Sequence, residues 1–454
     1  MKFGLFYEHQ LPRPWTDDAE HQLLKDALDQ VELADQLGFD QVWEVEHHFL
    51  EEYSHSSAPE VFLAAASQRT SRIRLGHGII QTPPPFNHPA RVAERVATLD
   101  LLSDGRVDFG TGESSSEAEL GGFGIHPMDK RDMWREGLDV AVRCLTETPF
   151  TGHHGKHVQM PPRNVVPKPM QKPHPPLWVA CSRRDTIRLA AELGIGALAF
   201  SFIDPEDAAH WATEYEQILA DRCVPAGLAV NHQLACVTPM MIHDDAEEAI
   251  RRGLEGGNFF GYSLGHYYIF GEHHPGRTDV WAQFQERRAQ HGFSPDIEAA
   301  IAQERLGAKA IDRDGATGLR GAIGDVGQVR DYVRRYEEAG VDQIIFVLQS
   351  GKNRHDHICE SLELFATEVM PEFAERDEAF VKAKTERLGP VVEAAMARRA
   401  ELDPPPALDP DYVMSGMLSA MAKADTSGQM AELNEQLAED RALGKPLNIP
   451  GVFD

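Results

Sequence analysis

The sequence is short of positive charge. Against 72 Asp and Glu it has only 44 Lys and Arg, a formal net charge of −28. Nucleic acids and anionic membranes select basic faces, so neither is expected as a partner. A phosphate-bearing cofactor is still admissible, because it needs only a local basic pocket. Cysteine is scarce too: Cys144, Cys181, Cys223, Cys236 and Cys359, with no CxxC spacing. That argues against a disulfide framework or zinc ribbon and for a reducing, cytoplasmic setting. No apolar run approaches the ~18 residues of a membrane span. The apolar start Met1–Tyr7 is ended by Glu8, too early for a signal peptide. The GxGxxG turn of a dinucleotide-binding sheet is also missing. After the first apolar segment the chain reads YEHQLPRPW instead.

What is present is a repeated junction. Residues 32–43 read ELADQLGFDQVW, 189–200 read LAAELGIGALAF and 335–347 read RYEEAGVDQIIFV. Each is an amphipathic helix end, then Gly38, Gly194 or Gly340 at a helix C′ position, then an apolar strand. Strands are expected near 2–8, 40–46, 73–79, 106–111, 177–181, 196–202, 232–242 and 342–348, with helices between. Eight such alternations predict a (β/α)8 barrel over residues 1–371, with insertions. The Pro-rich stretch 150–176 reads as an ordered crossing loop. The long gap 256–320 carries Phe259, Phe260, Tyr262, Tyr267, Tyr268 and Phe270 early in it and reads as a lid. Residues 372–454 form an acidic C-terminal helical extension, with helices near 372–387, 390–402 and 411–440. Its Met414, Met417, Leu418 and Met421 suggest packing on the barrel or on a second subunit.

In such a barrel, chemistry sits at the C-terminal strand ends. Strand 2 ends Glu44-Val45-Glu46-His47-His48-Phe49, a carboxylate-flanked pair that can supply a general base. Neighbouring strand residues face opposite ways, so a shared metal ion is not expected. Structural hydrogen bonding remains a third reading. Strand 4 ends in Gly110-Thr111-Gly112-Glu113 and three serines, which lets backbone approach a ligand. Strand 5 ends Ala180-Cys181-Ser182-Arg183-Arg184 and runs into a helix. Ser182 at that N-terminus, with Arg183 and with Arg131 from the preceding helix, forms a phosphate seat or merely a capped, solvated helix start. Cys181 beside arginines is a thiolate candidate. Tyr7, Trp43, Trp178, Phe200 and Phe202 near the strand ends suggest an apolar or aromatic substrate.

At these strand ends the chain resembles the bacterial luciferase-like flavin monooxygenases. The resemblance rests on Met1-Lys2-Phe3-Gly4, Gly38-Phe39-Asp40-Gln41-Val42-Trp43, Glu46-His47-His48-Phe49 and Leu102-Ser103-Asp104-Gly105-Arg106. It continues through Gly121-Gly122-Phe123-Gly124, Lys168-Pro169, Ser182 and Gly340-Val341-Asp342. It implies a (β/α)8 barrel, a homodimer or higher homo-oligomer, that takes reduced FMN from a separate flavin reductase and uses O2 to oxygenate an aldehyde, ketone or related substrate. His47 is then the active-site histidine, a base or a stabiliser of the oxygenated flavin. Ser182 and Arg131 fall on phosphate-contacting positions, and Gly78-Ile79 on a non-proline cis peptide facing the flavin. The family's mobile active-site loop falls on 256–320. Two departures stand out: Gly112 replaces the luciferase reactive cysteine, and Glu113 replaces an Arg that meets the FMN phosphate. Either Glu113 turns away while Arg183 or Arg184 compensates, or FMN binds weakly, or the cofactor binds differently. An F420-dependent oxidoreductase of the same superfamily, and a non-catalytic flavoprotein or assembly subunit, are the alternatives.

Overall fold

The computed structural model describes residues 1–199, 205–291, 297–305, 321–402, 404–416 and 428–444. Eight parallel strands form the frame: β1 (Lys2–Tyr7), β2 (Gln41–Glu44), β3 (Arg74–His77), β4 (Val107–Gly112), β5 (Leu177–Cys181), β6 (Gly196–Ala199), β7 (Leu234–Ile242) and β8 (Gln343–Val347). They pair in chain order, and β8 returns to β1 with Lys2 opposite Gln343, so the sheet closes on itself. This is the expected (β/α)8 barrel.

Around it lie α1 (Ala19–Leu37), α2 (Pro59–Ser67), α3 (Pro89–Leu102), α4 (Glu117–Gly122), α5 (Lys130–Thr146), α6 (Arg184–Glu192) and α7 (Pro205–Arg222). They are followed by α8 (Ala246–Gly265), α9 (Val280–Arg287), α10 (Ile297–Arg305), α11 (Val326–Glu338), α12 (His355–Glu368) and α13 (Met370–Ala400). Gly38, Gly194 and Gly340 all take left-handed conformations at the helix-to-strand junctions. The stretch 150–176 is ordered, with an antiparallel pair between His153–His154 and Gln159–Met160.

Parallel strands covered on both faces need two apolar layers, and both are present. Phe3, Leu5, Val42, Leu75, Val107 and Phe109 pack outward against the helices. Phe6, Trp43, Trp178, Val237, Ile345 and Val347 fill the barrel. Trp43 and Trp178 meet edge to face, with ring centroids 5.2 Å apart. Their neighbours are cut down to make room: a Cβ on Gly76 would stand 2.3 Å from the Trp43 ring, and one on Gly196 would stand 2.4 Å from Trp178. These two tryptophans are therefore filler of the barrel core. Tyr7 points outward and donates to Gln30 of α1 at 3.0 Å. The substrate inference drawn from these three aromatics is thus corrected, while Phe200 and Phe202 lie outside the described residues.

The later elements differ from expectation in extent. Helix α8 runs to Gly265 and continues as a π-helical turn, His266–Phe270, so the aromatic start of 256–320 is helical. Phe259, Phe260 and Ser263 recur at helical spacing and are buried, which carries the helix forward. The end of that segment, residues 306–320, lies outside the described residues. The expected pair of helices at 372–387 and 390–402 is one helix, α13, with Pro390 inside it. The chain forms two compact units, Met1–Pro404 and Pro405–Asp454, so α13 belongs to the barrel unit. Lys384 holds it there: Nζ reaches both oxygens of Asp342, at 2.8 and 2.7 Å, at the start of β8. Arg398 also donates to the Cys223 carbonyl at 2.7 Å. In the second unit a helix α14 spans Gln429–Ala442, and residues 404–416 are not helical. Met414 there is exposed, while Met417, Leu418 and Met421 lie outside the described residues.

Two outcomes follow from this packing. The side chains of Lys384 and Asp342 are only 9% and 11% exposed, and removing one partner strands the other charge. Lys384→Met should cost on the order of 3 kcal/mol in chemical denaturation. Cys144, Cys181, Cys223 and Cys236 are buried and Cys359 is partly open. A thiol reagent should label Cys359 alone in the folded protein, and all five thiols after denaturation.

Candidate functional site

The C-terminal mouth of the barrel gathers acids around one ring. Strand β1 delivers Glu8 just past its end, and β2 delivers residues 44–48. Backbone bonds fix the second segment: Glu46 N donates to Ile79 O at 3.0 Å, and His47 N to Ser56 O at 2.8 Å. The two histidines lie just past the strand and meet different neighbours. His48 turns outward, with Nε2 3.1 Å from Glu46 and its ring against Phe86 and Phe123. His47 turns into the mouth.

His47 Nδ1 lies 3.0 Å from Glu119 Oε1, and Nε2 lies 3.6 Å from Glu8 Oε2. Glu119, on the short helix α4, is fully buried and accepts two further bonds, from Ser114 Oγ at 2.6 Å and His48 N at 3.0 Å. An acid with three donors is held as a carboxylate. Burial pushes its pKa up, but His47, Ser114 and the His48 amide outweigh this and bring it below the ordinary value. Nδ1 is therefore the donor of that pair. Burial likewise disfavours a charge on His47, yet Glu8 and Glu119 outweigh it and raise the ring to about 9. Glu8, 3% exposed, is pushed up by burial to about 7, against the pull of His47 and of Tyr53, which donates to its Oε1 at 2.8 Å. At neutral pH the ring is an imidazolium. A free base at His47 is the less favoured of the two roles expected from the sequence.

Over this ring lies the π-helical turn. Tyr268 meets His47 edge to face at 6.4 Å and Tyr53 at 6.3 Å. Glu52 secures the following segment, taking bonds from Val280 N at 2.6 Å and Trp281 N at 3.0 Å. Tyr53, Tyr267, Tyr268 and Leu264 thus form an aromatic wall against the barrel core.

The second expected cluster lies at the ends of β4 and β5. Gly112 is where Ile79 crosses, since a Cβ there would stand 2.5 Å from its side chain. Gly78-Ile79 is not cis: every cis bond among the described residues precedes proline. Its flanking groups are satisfied in the trans form, Gly78 N donating to Glu44 O at 2.7 Å. Glu113 does not turn away. It holds Arg131 through two bonds, at 2.6 and 2.8 Å, with Lys130 Nζ 3.7 Å off. Arg184 is paired with Glu214 at 2.7 Å. Arg183 has no carboxylate partner among the described residues and is exposed beside Ser182 where α6 begins. Ala180 borders the barrel core, whereas Cys181 points the other way, into the layer under the helices. Burial raises its thiol to about 12, so the thiolate reading is corrected.

The sequence pattern singles out His47, and Tyr268 as part of the expected lid, but not Glu8, Tyr53 or Glu119. A charged residue closing an apolar first strand is a visible sign for Glu8. Nothing local marks Glu119, which only the closed barrel brings to His47.

The fold has known counterparts. Residues 1–343 match the family model of the luciferase-like monooxygenases. The chain is 28% identical over 419 residues to 4-hydroxyprotoasukamycin monooxygenase of Streptomyces nodosus subsp. asukaensis, covering 88% of this chain and 98% of that protein. It is 26% identical over 382 residues to the oxygenase component of flavin-dependent trigonelline monooxygenase of Acinetobacter baylyi, covering 83% and 96%. Among solved structures, monooxygenase RslO1 from Streptomyces bottropensis superposes with a TM-score of 0.62 at 24% identity, over 82% of this chain and all of that one. Coenzyme F420-dependent tetrahydromethanopterin reductase from Methanopyrus kandleri does so with 0.56 at 22%, over 82% and 99%. With three quarters of its length under that one model, and the barrel closed as the fold requires, the chain belongs to the luciferase-like monooxygenase family.

Proposed function

We propose that this chain is the oxygenase component of a two-component monooxygenase that uses reduced FMN and O2 to oxygenate an apolar, aromatic-walled substrate of aldehyde or ketone type. The observation that carries the reading is the charged His47 ring, fixed between Glu119 and Glu8 at the barrel mouth. Oxygen chemistry on a reduced flavin builds negative charge, and a fixed imidazolium stabilises charge without reorganising. The relative named as an oxygenase component supports a separate flavin reductase.

The residues present fit FMN. Arg183 is a cation without a carboxylate, next to Ser182 and the first N–H groups of α6, the donor set a phosphate takes. Ile79, packed over Gly112, offers an apolar approach for the ring. When bound, reduced flavin supplies the electrons and carries the oxygen. The protein's share is then specific. Glu119 fixes the Nδ1 proton, Nε2 presents its proton to the mouth, and Tyr53, Tyr267 and Tyr268 keep water away. Glu113 cancels Arg131, leaving the seat less cationic than an Arg at that position would. Modest affinity suits a cofactor that must leave again as oxidised FMN.

Fluorescence titration with oxidised and reduced FMN, followed by O2 uptake with a panel of aldehydes, ketones and arenes, tests this. Binding of reduced FMN and substrate-dependent uptake are expected. Binding of neither form, or hydride exchange with F420 without O2 uptake, would overturn it. His47→Gln should lower kcat by about 100-fold or more with the fold intact. The ring is charged below about 9, so the part of kcat that depends on His47 should be lost as pH rises through that value. Glu113→Gln frees Arg131 and should tighten FMN about tenfold, as one charge near a partly exposed phosphate would.

A further inference from the structure

Among the described residues, one buried carboxylate oxygen facing His47 is without a hydrogen-bond partner. Glu8 Oε2 is closed off from solvent and makes no hydrogen bond, although Oε1 accepts from Tyr53. Buried carboxylate oxygens are nearly always satisfied, so this one asks for a reason. The His47 ring stands in front of it, with Nε2 3.6 Å away and engaged in no hydrogen bond of its own. That gap lies just beyond hydrogen-bond length. The other groups facing Glu8 are Tyr53 from the loop after β2, Glu119 from α4, Tyr268 from the π-helical turn and Glu44 from β2. Glu44 accepts from Ser56 Oγ on Oε1, which also lies 2.9 Å from His9 Nε2, while its Oε2, like that of Glu8, has no partner among the described residues.

The two acids beside His47 are built differently. Glu119 has three donors and stays ionised. Glu8 has one donor and an orphan oxygen, and burial, helped by the nearby Glu119 and Glu44, favours its protonated form against the pull of His47. We propose that Glu8 is the positioning residue of this site, storing the proton with which His47 Nε2 is resupplied, so that the two act as one proton-sharing pair. This rests on the reading of His47 as the acid of the flavin site.

The step balances. The Nε2–H bond breaks and its proton passes to an oxygen atom in the mouth, leaving a neutral imidazole with a lone pair on Nε2. The Oε2–H bond of Glu8 then breaks and a new Nε2–H bond forms. The ring regains its charge and Glu8 becomes a carboxylate. One proton leaves the pair, no electrons are exchanged, and water returns the proton later through Nε2. A titration of Glu8 near 7 lets it give and take that proton at neutral pH.

The test uses the cofactor-free protein first. Nuclear magnetic resonance of labelled histidine, with His47→Gln to assign the signal, follows the ring through a pH titration. Glu8→Gln keeps the acceptor for Tyr53 but not the charge, and should move the His47 titration down by about one unit or more. In the working enzyme the kcat profile should show an added limb near 7 that Glu8→Gln lacks and Glu8→Asp restores. An unchanged His47 titration in Glu8→Gln, or a limb near 7 that survives it, overturns the proposal. If Glu8→Gln does not fold, Glu8→Asp decides: a displaced limb supports the pair and an unmoved one overturns it. Binding of reduced FMN to the wild type is measured separately, so failure of the flavin reading and failure of the proton-sharing pair are told apart.

Discussion

The imidazole of His47, caught between two buried carboxylates, organises the mouth of this barrel. Desolvation alone would make the ring neutral and would protonate both acids. The balance runs the other way for the ring and for Glu119, because each lowers the cost of charging the other. Such a pair is stable only if its remaining valences are filled. Ser114 and the His48 amide do this for Glu119. Glu8 is filled on one oxygen only, which leaves the triad able to move a proton rather than merely to hold a charge. The contributing segments come from β1, β2 and α4: β1 pairs directly with β2, and α4 follows β4, two strands further round the barrel.

The second constraint is the −28 charge. An acidic protein that takes a phosphate must keep one cation unneutralised, and most candidates here are spoken for. Arg131 is tied to Glu113 and Arg184 to Glu214. Arg183 is left at the start of α6. The acidic excess that argues against a nucleic-acid partner would, on the proposed reading, also limit how tightly a flavin is held. A seat with one spare guanidinium matches a cofactor shared between two proteins better than one retained for life.

Strand order and strand ends are legible in the sequence because parallel strands leave continuous apolar runs and helix ends leave glycines. All eight expected strand positions match strands of the barrel. His47 is legible because it stands at such an end beside acids. What is not legible depends on contacts distant in sequence. Glu119 lies 72 residues from His47 and Lys384 lies 42 from Asp342. The aromatic start of 256–320 reads as a lid because it opens the longest gap between expected strands, yet it is helical, with Gly256 close against Ser350 and Asn353 and Gly257 against Pro239 of β7. The cis bond expected at Gly78-Ile79 comes from resemblance alone, and every cis bond among the described residues precedes proline.

A structure determined from crystals grown without oxygen in the presence of reduced FMN tests the central claim most directly. The account expects flavin at the C-terminal mouth, its phosphate against Arg183 and Ser182 where α6 begins, and its ring system beside His47. Flavin bound elsewhere, or a mouth that takes F420 and rejects FMN, would contradict it.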